Sequence, residues 1–223
     1  MSNKKELYLR VAGFDSEPEE TFNNFDPKQH PKPEDRQRTQ FMKDRVISWS
    51  LEDQNSKPFL ALFGNNGVGK THLLKASVNL LAEHHKRSTY LNSGRFTRAM
   101  FNYGQDKYKN NTPNSPNILE ELSPIEMKRD CFDAETLIFD EVGFWDQSKP
   151  YVNQIFDEIL IYRADNKKRT LLAGNIQPNH KIFTARFSDR MKDKTLMEVL
   201  NLWKVDSFRP NKIFEEYKPN QED

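Results

Sequence analysis

The chain has 223 residues, which suits one α/β domain with a short appendage and does not require two. A formal net charge of +1 gives no global basic field, so any nucleic-acid contact has to be local, and the single cysteine, Cys131, excludes an intramolecular disulfide or a thiolate metal cluster and suits a reducing cytoplasm. With 35% hydrophobic and 30% charged residues a core is attainable beside much polar surface, and neither a membrane-length apolar run nor a signal-peptide core is present.

Residues 1–20 read as an N-terminal extension, acidic towards Glu17, Glu19 and Glu20. In it Leu7, Tyr8, Leu9 and Val11 read as a short strand, a docking peptide or a partly ordered terminus. Residues 21–57 read as a linker and a first helix. Phe22 and Phe25 are expected to pack on the main domain, and Pro27, Pro31 and Pro33 make the link turn-prone. Glu34 to Leu51 has the apolar spacing of a helix (Phe41, Met42, Val46, Ile47, Trp49).

Phe59 to Phe63 is a continuous apolar run, the signature of a strand buried on both faces in a parallel sheet. Gly64-Asn65-Asn66-Gly67-Val68-Gly69-Lys70-Thr71 then fits the P-loop pattern, and His72 to Leu81 continues as a helix. Glycines permit the dihedrals that point backbone N–H groups at a triphosphate, and the helix N-terminus adds partial positive charge. Lys70 reaches the β- and γ-phosphates in this reading, and the Thr71 hydroxyl holds Mg²⁺.

His84-His85-Lys86-Arg87 reads as a solvated helix end rather than a metal site, because adjacent helical residues point about 100° apart. Ser88 to Leu91 is a second strand, after which Ser93 caps a helix from Gly94 to Tyr103. Gly104 to Asn117 buries nothing apolar and reads as an exposed, mobile loop, followed by a short helix from Ile118 to Met127 broken around Pro124. Thr136 to Gly143 is a buried strand ending in Asp140 and Glu141, the Walker B arrangement of one carboxylate for Mg²⁺ and one for the attacking water. Pro150 to Ala164 is a helix, and Thr170 to Asn175 a buried strand whose Asn175 stands ready to sense a γ-phosphate or position water. Lys181 to Lys194 is a cationic helix with Arg186 and Arg190 on one face, where ion pairing to Asp189 or Asp193 is the plain alternative to a functional role. Val199 to Val205 reads as a last strand, and residues 211–223 as a polar tail.

Assembled, these features resemble the AAA+ ATPases of replication initiation, above all helicase loaders of the DnaC type and the related IstB transposition ATPases. The similar stretches are Gly64 to Leu74, Ile138 to Gly143, the strand ending at Asn175, Arg186-Phe187-Ser188-Asp189-Arg190-Met191 and Asp206-Ser207-Phe208-Arg209, while Tyr90 to Met100 looks like the segment after the P-loop helix in DnaA. The resemblance spans residues 21–210. It implies an α/β/α three-layer P-loop fold on a five-stranded parallel sheet without a full C-terminal lid domain, only 48 residues following Asn175. It further implies ATP and Mg²⁺ bound by residues 64–72, with Thr71 and Asp140 on the metal, Glu141 and Lys70 catalytic, Asn175 as sensor 1 and Arg209 as a sensor 2-like arginine. Arg190, with Arg186 as second candidate, matches an arginine finger that completes the neighbouring subunit's site, so a homo-oligomer with ATP at its interfaces is implied, in the cytoplasm, acting with a hexameric replicative helicase and single-stranded DNA. Loaders of this type carry an N-terminal helicase-binding region, for which residues 1–20 are too few, so the docking mode differs or is reduced.

For DNA the candidates are Arg95, Arg98, Lys107, Tyr108 and Lys109, cations interleaved with aromatics as backbone contact and base stacking require; a solvated polar loop is the alternative. Four functional readings stand at this point: an ATP-dependent helicase loader, a transposition-type ATPase on duplex DNA, a small-molecule kinase, and a regulatory module that holds nucleotide with little turnover. The kinase would need an acceptor pocket and an arginine-rich lid, and the sequence offers neither.

Overall fold

A computed structural model describes residues 2–52, 57–97, 124–143, 150–178, 180 and 182–208. The apolar runs build its centre. Strand β1 (Phe59–Gly64) and strand β3 (Thr136–Asp140) are buried at every residue, and β4 (Arg169–Gly174) at every residue but its first. The half-polar β2 (Ser88–Asn92) and β5 (Met197–Leu202) take the two edges, giving a five-stranded sheet in the order β2-β3-β4-β1-β5 with every pair parallel.

Side chains alternate across the pleat, so each central strand feeds two cores. Phe59, Ala61, Phe63, Leu137, Phe139 and Leu172 face one layer. Its helices are α4 (Pro124–Asp133), α5 (Pro150–Asp165) and α6 (Ala185–Lys192). Leu60, Leu62, Ile138, Leu171 and Ala173 face the other, against α1 (Ser2–Val11), α2 (Pro33–Leu51) and α3 (Lys70–Glu83). This is the three-layer α/β/α P-loop architecture that the resemblance implied. Among the described residues no helical bundle follows β5, and no helix is long and apolar enough to cross a membrane.

One buried cation knits the first layer. Arg163 of α5 is fully buried and donates to the carbonyls of Cys131 (2.8 Å), Ala134 (3.0 Å) and Arg169 (2.6 Å) and to Thr170 Oγ1 (2.9 Å), tying the end of α4 to the start of β4. Burial without a carboxylate partner lowers its pKa to about 10.

Several local expectations change. Leu7 to Val11 are helical, because packing decides where propensity is weak: Leu9 and Ala12 bury against the second core beside α3 and β2. Ser93 is not the cap of the helical residues 93–97; the Asn92 side chain accepts from the backbone N–H of Gly94 (3.0 Å) and Arg95 (3.2 Å) instead. Helix α6 is shorter than the Lys181 to Lys194 reading, because the Thr184 side chain caps it by accepting from Phe187 N. The last strand starts at Met197, two residues earlier than the alternation indicated, and ends at Leu202, since its partner β1 offers register from Phe59 to Gly64. Arg98, Lys107, Tyr108, Lys109, Arg209, the 104–117 loop and the 211–223 tail lie outside the described residues.

Candidate nucleotide site

Three strand ends meet at the C-terminal edge of the sheet, the usual place for a ligand in an open α/β fold. From β1 comes the glycine loop. Gly64 is required by its neighbour, since a Cβ there would lie 2.5 Å from Leu202 Cβ. Gly67 and Gly69 turn the chain with φ of 78° and 89°, and Gly69 is the N-cap from which α3 starts at Lys70. From β3 come Asp140 and Glu141, and from β4 Gly174 and Asn175. Val142 N donates to Ala173 O (2.8 Å), which locks the last two ends together.

These ends open on a cavity of about 690 Å³, within the ~300–1,000 Å³ typical of small-molecule sites. Asn66, Gly67, Gly69, Lys70, Thr71 and His72 line one side of it, and Glu141, Gly143, Gly174, Asn175 and Ile176 another. The third wall is the linker (Glu20, Asn24, Phe25, Asp26, Gln29) with Phe208.

Lys70 Nζ donates to the carbonyls of Gly64 (2.8 Å) and Asn65 (2.6 Å). Burial lowers its pKa to about 8, against the opposing pull of Asp140. Asp140 is itself buried. Its Oδ2 accepts from Tyr90 Oη (2.8 Å) and its Oδ1 from Glu141 N (2.8 Å), and the Thr71 hydroxyl also bonds to it. Burial nonetheless holds its pKa above the ordinary carboxylate value. Among the described residues no group of three or more His, Cys, Asp or Glu side chains surrounds a metal position. One buried carboxylate bonded to a hydroxyl that lines the cavity beside a lysine is a donor set that fits Mg²⁺, which keeps waters and phosphate oxygens as its remaining ligands.

Glu141 is exposed and has φ of 56°, a conformation rare for a side-chain-bearing residue. Its Oε2 accepts from Asn92 Nδ2 (2.7 Å), and its carbonyl from Ser93 Oγ (2.5 Å). Neither Asn92 nor Tyr90 was singled out from the sequence as a site residue. The register of β2 on β3, which pairs Asn92 with Asp140, is what brings them here.

His72 lines the cavity but also ties down its wall, with Nε2 2.9 Å from Thr21 O and its ring edge-on to Phe25 at 5.2 Å. Phe208 closes the far side. Its N–H donates to Gly67 O (2.8 Å), and its ring meets Phe25 (5.4 Å) and His30 (3.7 Å). Arg186 and Arg190 do not line the cavity. Both pair with Asp165, the last residue of α5, at 3.1 and 2.8 Å, rather than with Asp189 or Asp193. Arg95 is exposed, just beyond Asn92.

Comparison with known proteins agrees with this geometry. The family model of the bacterial DnaA ATPase domain matches residues 35–199. The chromosomal replication initiator protein DnaA of Mesoplasma florum is 29% identical over 120 residues, covering 53% of this chain and 24% of that protein. A replication initiator DnaA bound to AMPPCP and single-stranded DNA superposes with a TM-score of 0.60 at 18% identity, over 82% of this chain and 50% of that one. The DnaC helicase loader superposes with a TM-score of 0.54 at 17% identity, over 82% of this chain and 96% of that one. The chain thus spans about a quarter of the curated relative and half of the DnaA structure.

Proposed function

Because the chain belongs to the bacterial DnaA ATPase-domain family, we propose that it is an ATP-hydrolysing DNA-replication protein, and specifically a loader of a hexameric replicative helicase. The observation that carries the ATPase reading is the meeting of Lys70, Thr71, Glu141 and Asn175 at one cavity, with Asp140 buried behind Thr71 and bonded to its hydroxyl. The loader reading is supported by the likeness of the fold to the DnaC helicase loader, over 82% of this chain.

In this mechanism the triphosphate lies along the loop from Gly64 to Thr71, in front of the N–H groups that open α3. Lys70 exchanges two carbonyl partners for the β- and γ-phosphates, a stronger electrostatic match in a buried setting. Thr71 and Asp140 would hold Mg²⁺, whose charge would offset that of the phosphates. Glu141 orients the attacking water and takes its proton, with Asn92 setting the carboxylate's direction. Asn175 lies across the cavity mouth to bond the γ-phosphate or that water. Arg190, with Arg186 beside it, leaves Asp165 to serve the neighbouring subunit's site, so turnover follows assembly of a homo-oligomer. Arg209 directly follows Phe208, which borders the cavity, and reads the nucleotide in its own subunit. Arg95, Arg98, Lys107, Tyr108 and Lys109 contact single-stranded DNA.

The test is a pair of variants. Glu141→Gln keeps ATP binding, loses turnover and retains the hexameric helicase in a pull-down with ATP, whereas Lys70→Ala loses binding and turnover together. Full turnover by Glu141→Gln refutes the catalytic role of Glu141, wild-type protein that turns over no ATP refutes the ATPase reading, and failure of the trapped protein to retain a helicase refutes the loader.

A further inference from the structure

We propose that Tyr90 is a positioning residue for the metal-binding carboxylate of Asp140, and that the turn after the N-terminal helix, Ala12 to Phe14, sets Tyr90 and so links that helix to the nucleotide site. The inference rests on the ATP and Mg²⁺ reading above and names what regulates the same site.

A carboxylate that must meet a small hard cation in a fixed direction needs its plane fixed first. Here each oxygen of Asp140 receives one strong donor from β2 or from its own backbone: Tyr90 Oη on Oδ2, Glu141 N on Oδ1. The remaining lone pairs are left for the Thr71 hydroxyl and the metal. The phenol is a dependable donor. An ordinary phenol keeps its proton throughout the physiological range.

Tyr90 is in turn held from the N-terminal side. Strand β2 is an edge of the sheet, and its outer backbone is engaged by the segment that follows α1, where Tyr90 N donates to Ala12 O (3.1 Å). The Phe14 ring packs on the Tyr90 ring at 5.2 Å with the planes 57° apart. The segment is rigidly attached to α1, because Ala12 N donates to Tyr8 O and Phe14 N to Leu9 O (3.0 Å each), with Gly13 turning the chain at φ 93°. The path from helix to metal carboxylate therefore has three short steps: the α1 backbone, the Ala12–Phe14 turn, and Tyr90. A tyrosine that merely fills space would need the ring alone and not the hydroxyl.

The experiment titrates Mg²⁺ against binding of a fluorescent, non-hydrolysable ATP analogue to the full chain. Tyr90→Phe keeps the ring and removes the donor. Its half-saturating Mg²⁺ concentration is expected to rise about three- to tenfold, while affinity for the analogue in EDTA stays at the wild-type value. Phe14→Leu, which keeps the site apolar, shifts the Mg²⁺ midpoint in the same direction by a smaller factor. A Tyr90→Phe midpoint equal to wild type overturns the role of Tyr90. A shift in Tyr90→Phe with none in Phe14→Leu overturns the link to the N-terminal helix. Wild-type binding that ignores Mg²⁺ altogether removes the metal reading of Asp140, and the proposal falls with it.

Discussion

Lys70 makes nucleotide affinity a function of pH. Burial draws its pKa from 10.5 down to about 8 in the nucleotide-free protein. A bound triphosphate beside the ammonium holds it protonated, so above pH 8 binding must take up a proton from solution. The dissociation constant then scales as the reciprocal of the protonated fraction. From pH 7, where most of the molecules carry the charge, to pH 9, where about a tenth do, affinity falls about tenfold, or about 1.4 kcal/mol. The measurement is anisotropy of a fluorescent, non-hydrolysable ATP analogue at half-unit steps from pH 7 to 9 at constant ionic strength. A phosphate's last ionisation, near pH ~6, is complete over that range. Lys70→Arg does not titrate there and should give a flat profile. The same shift acts on stability with the opposite sign. The folded value lies below the unfolded one, so the unfolded chain holds more protons between about 8 and 10.5. The Lys70 contribution to stability therefore grows with pH across that window while affinity declines. A wild-type dissociation constant that stays level from pH 7 to 9 refutes the burial argument for this lysine.

Gly69→Ala should destabilise the fold through two causes: a left-handed residue with a side chain costs ~1–2 kcal/mol, and its Cβ would lie 2.4 Å from Phe25 Cε2, a buried ring whose displacement costs ~1–3 kcal/mol. The unfolding temperature should drop by on the order of 10 °C, with Phe25→Leu recovering part of the loss in the double variant; a drop below ~2 °C in a thermal melt contradicts the geometry. Asn92→Ala should leave ATP affinity within about twofold, because Asn92 does not line the cavity, yet lower turnover at least ~10-fold by releasing Glu141. Unchanged steady-state hydrolysis would mean that the 2.7 Å bond orients nothing.

What was legible in the sequence follows the range of the interaction that decides each feature. The P-loop and the Asp140–Glu141 pair are contiguous patterns on buried strands, readable because local composition dictates both the strand and its polar end. The sheet and its two-sided core follow from the same runs. Tyr90 and Asn92 carry no motif. Tyr90 read as part of a short strand from Ser88 to Leu91 and Asn92 as the residue after it, and only the register of β2 on β3 places them on Asp140 and Glu141. Arg186 and Arg190 read as arginine-finger candidates, with pairing to Asp189 or Asp193 as the plain alternative, and the helix turns both to Asp165 at the end of α5, a contact that no local spacing encodes. Leu7, Tyr8, Leu9 and Val11 have the composition of a strand, and the burial of Leu9 and Ala12 beside α3 overrides it. His72, the residue after the P-loop pattern, was read with the nucleotide-binding span 64–72, while its bond to Thr21 O belongs to a contact 51 positions away.

The sheet order has a consequence for how the protein is made. Strand β1 is the first strand of this sheet to leave the ribosome, yet it lies between β4 and β5, the last two. Its loop stays incomplete longer still, because Gly67 O is bonded by Phe208 N and Asn65 Nδ2 by Trp203 O. A nascent chain thus carries the glycine loop through most of its synthesis without the strand neighbours that shape it. Sequence-distant closure of this kind is slow and leaves apolar edges open while it is pending. The glycine loop accordingly takes its final shape only once the segment from Trp203 to Phe208 is free to close on it.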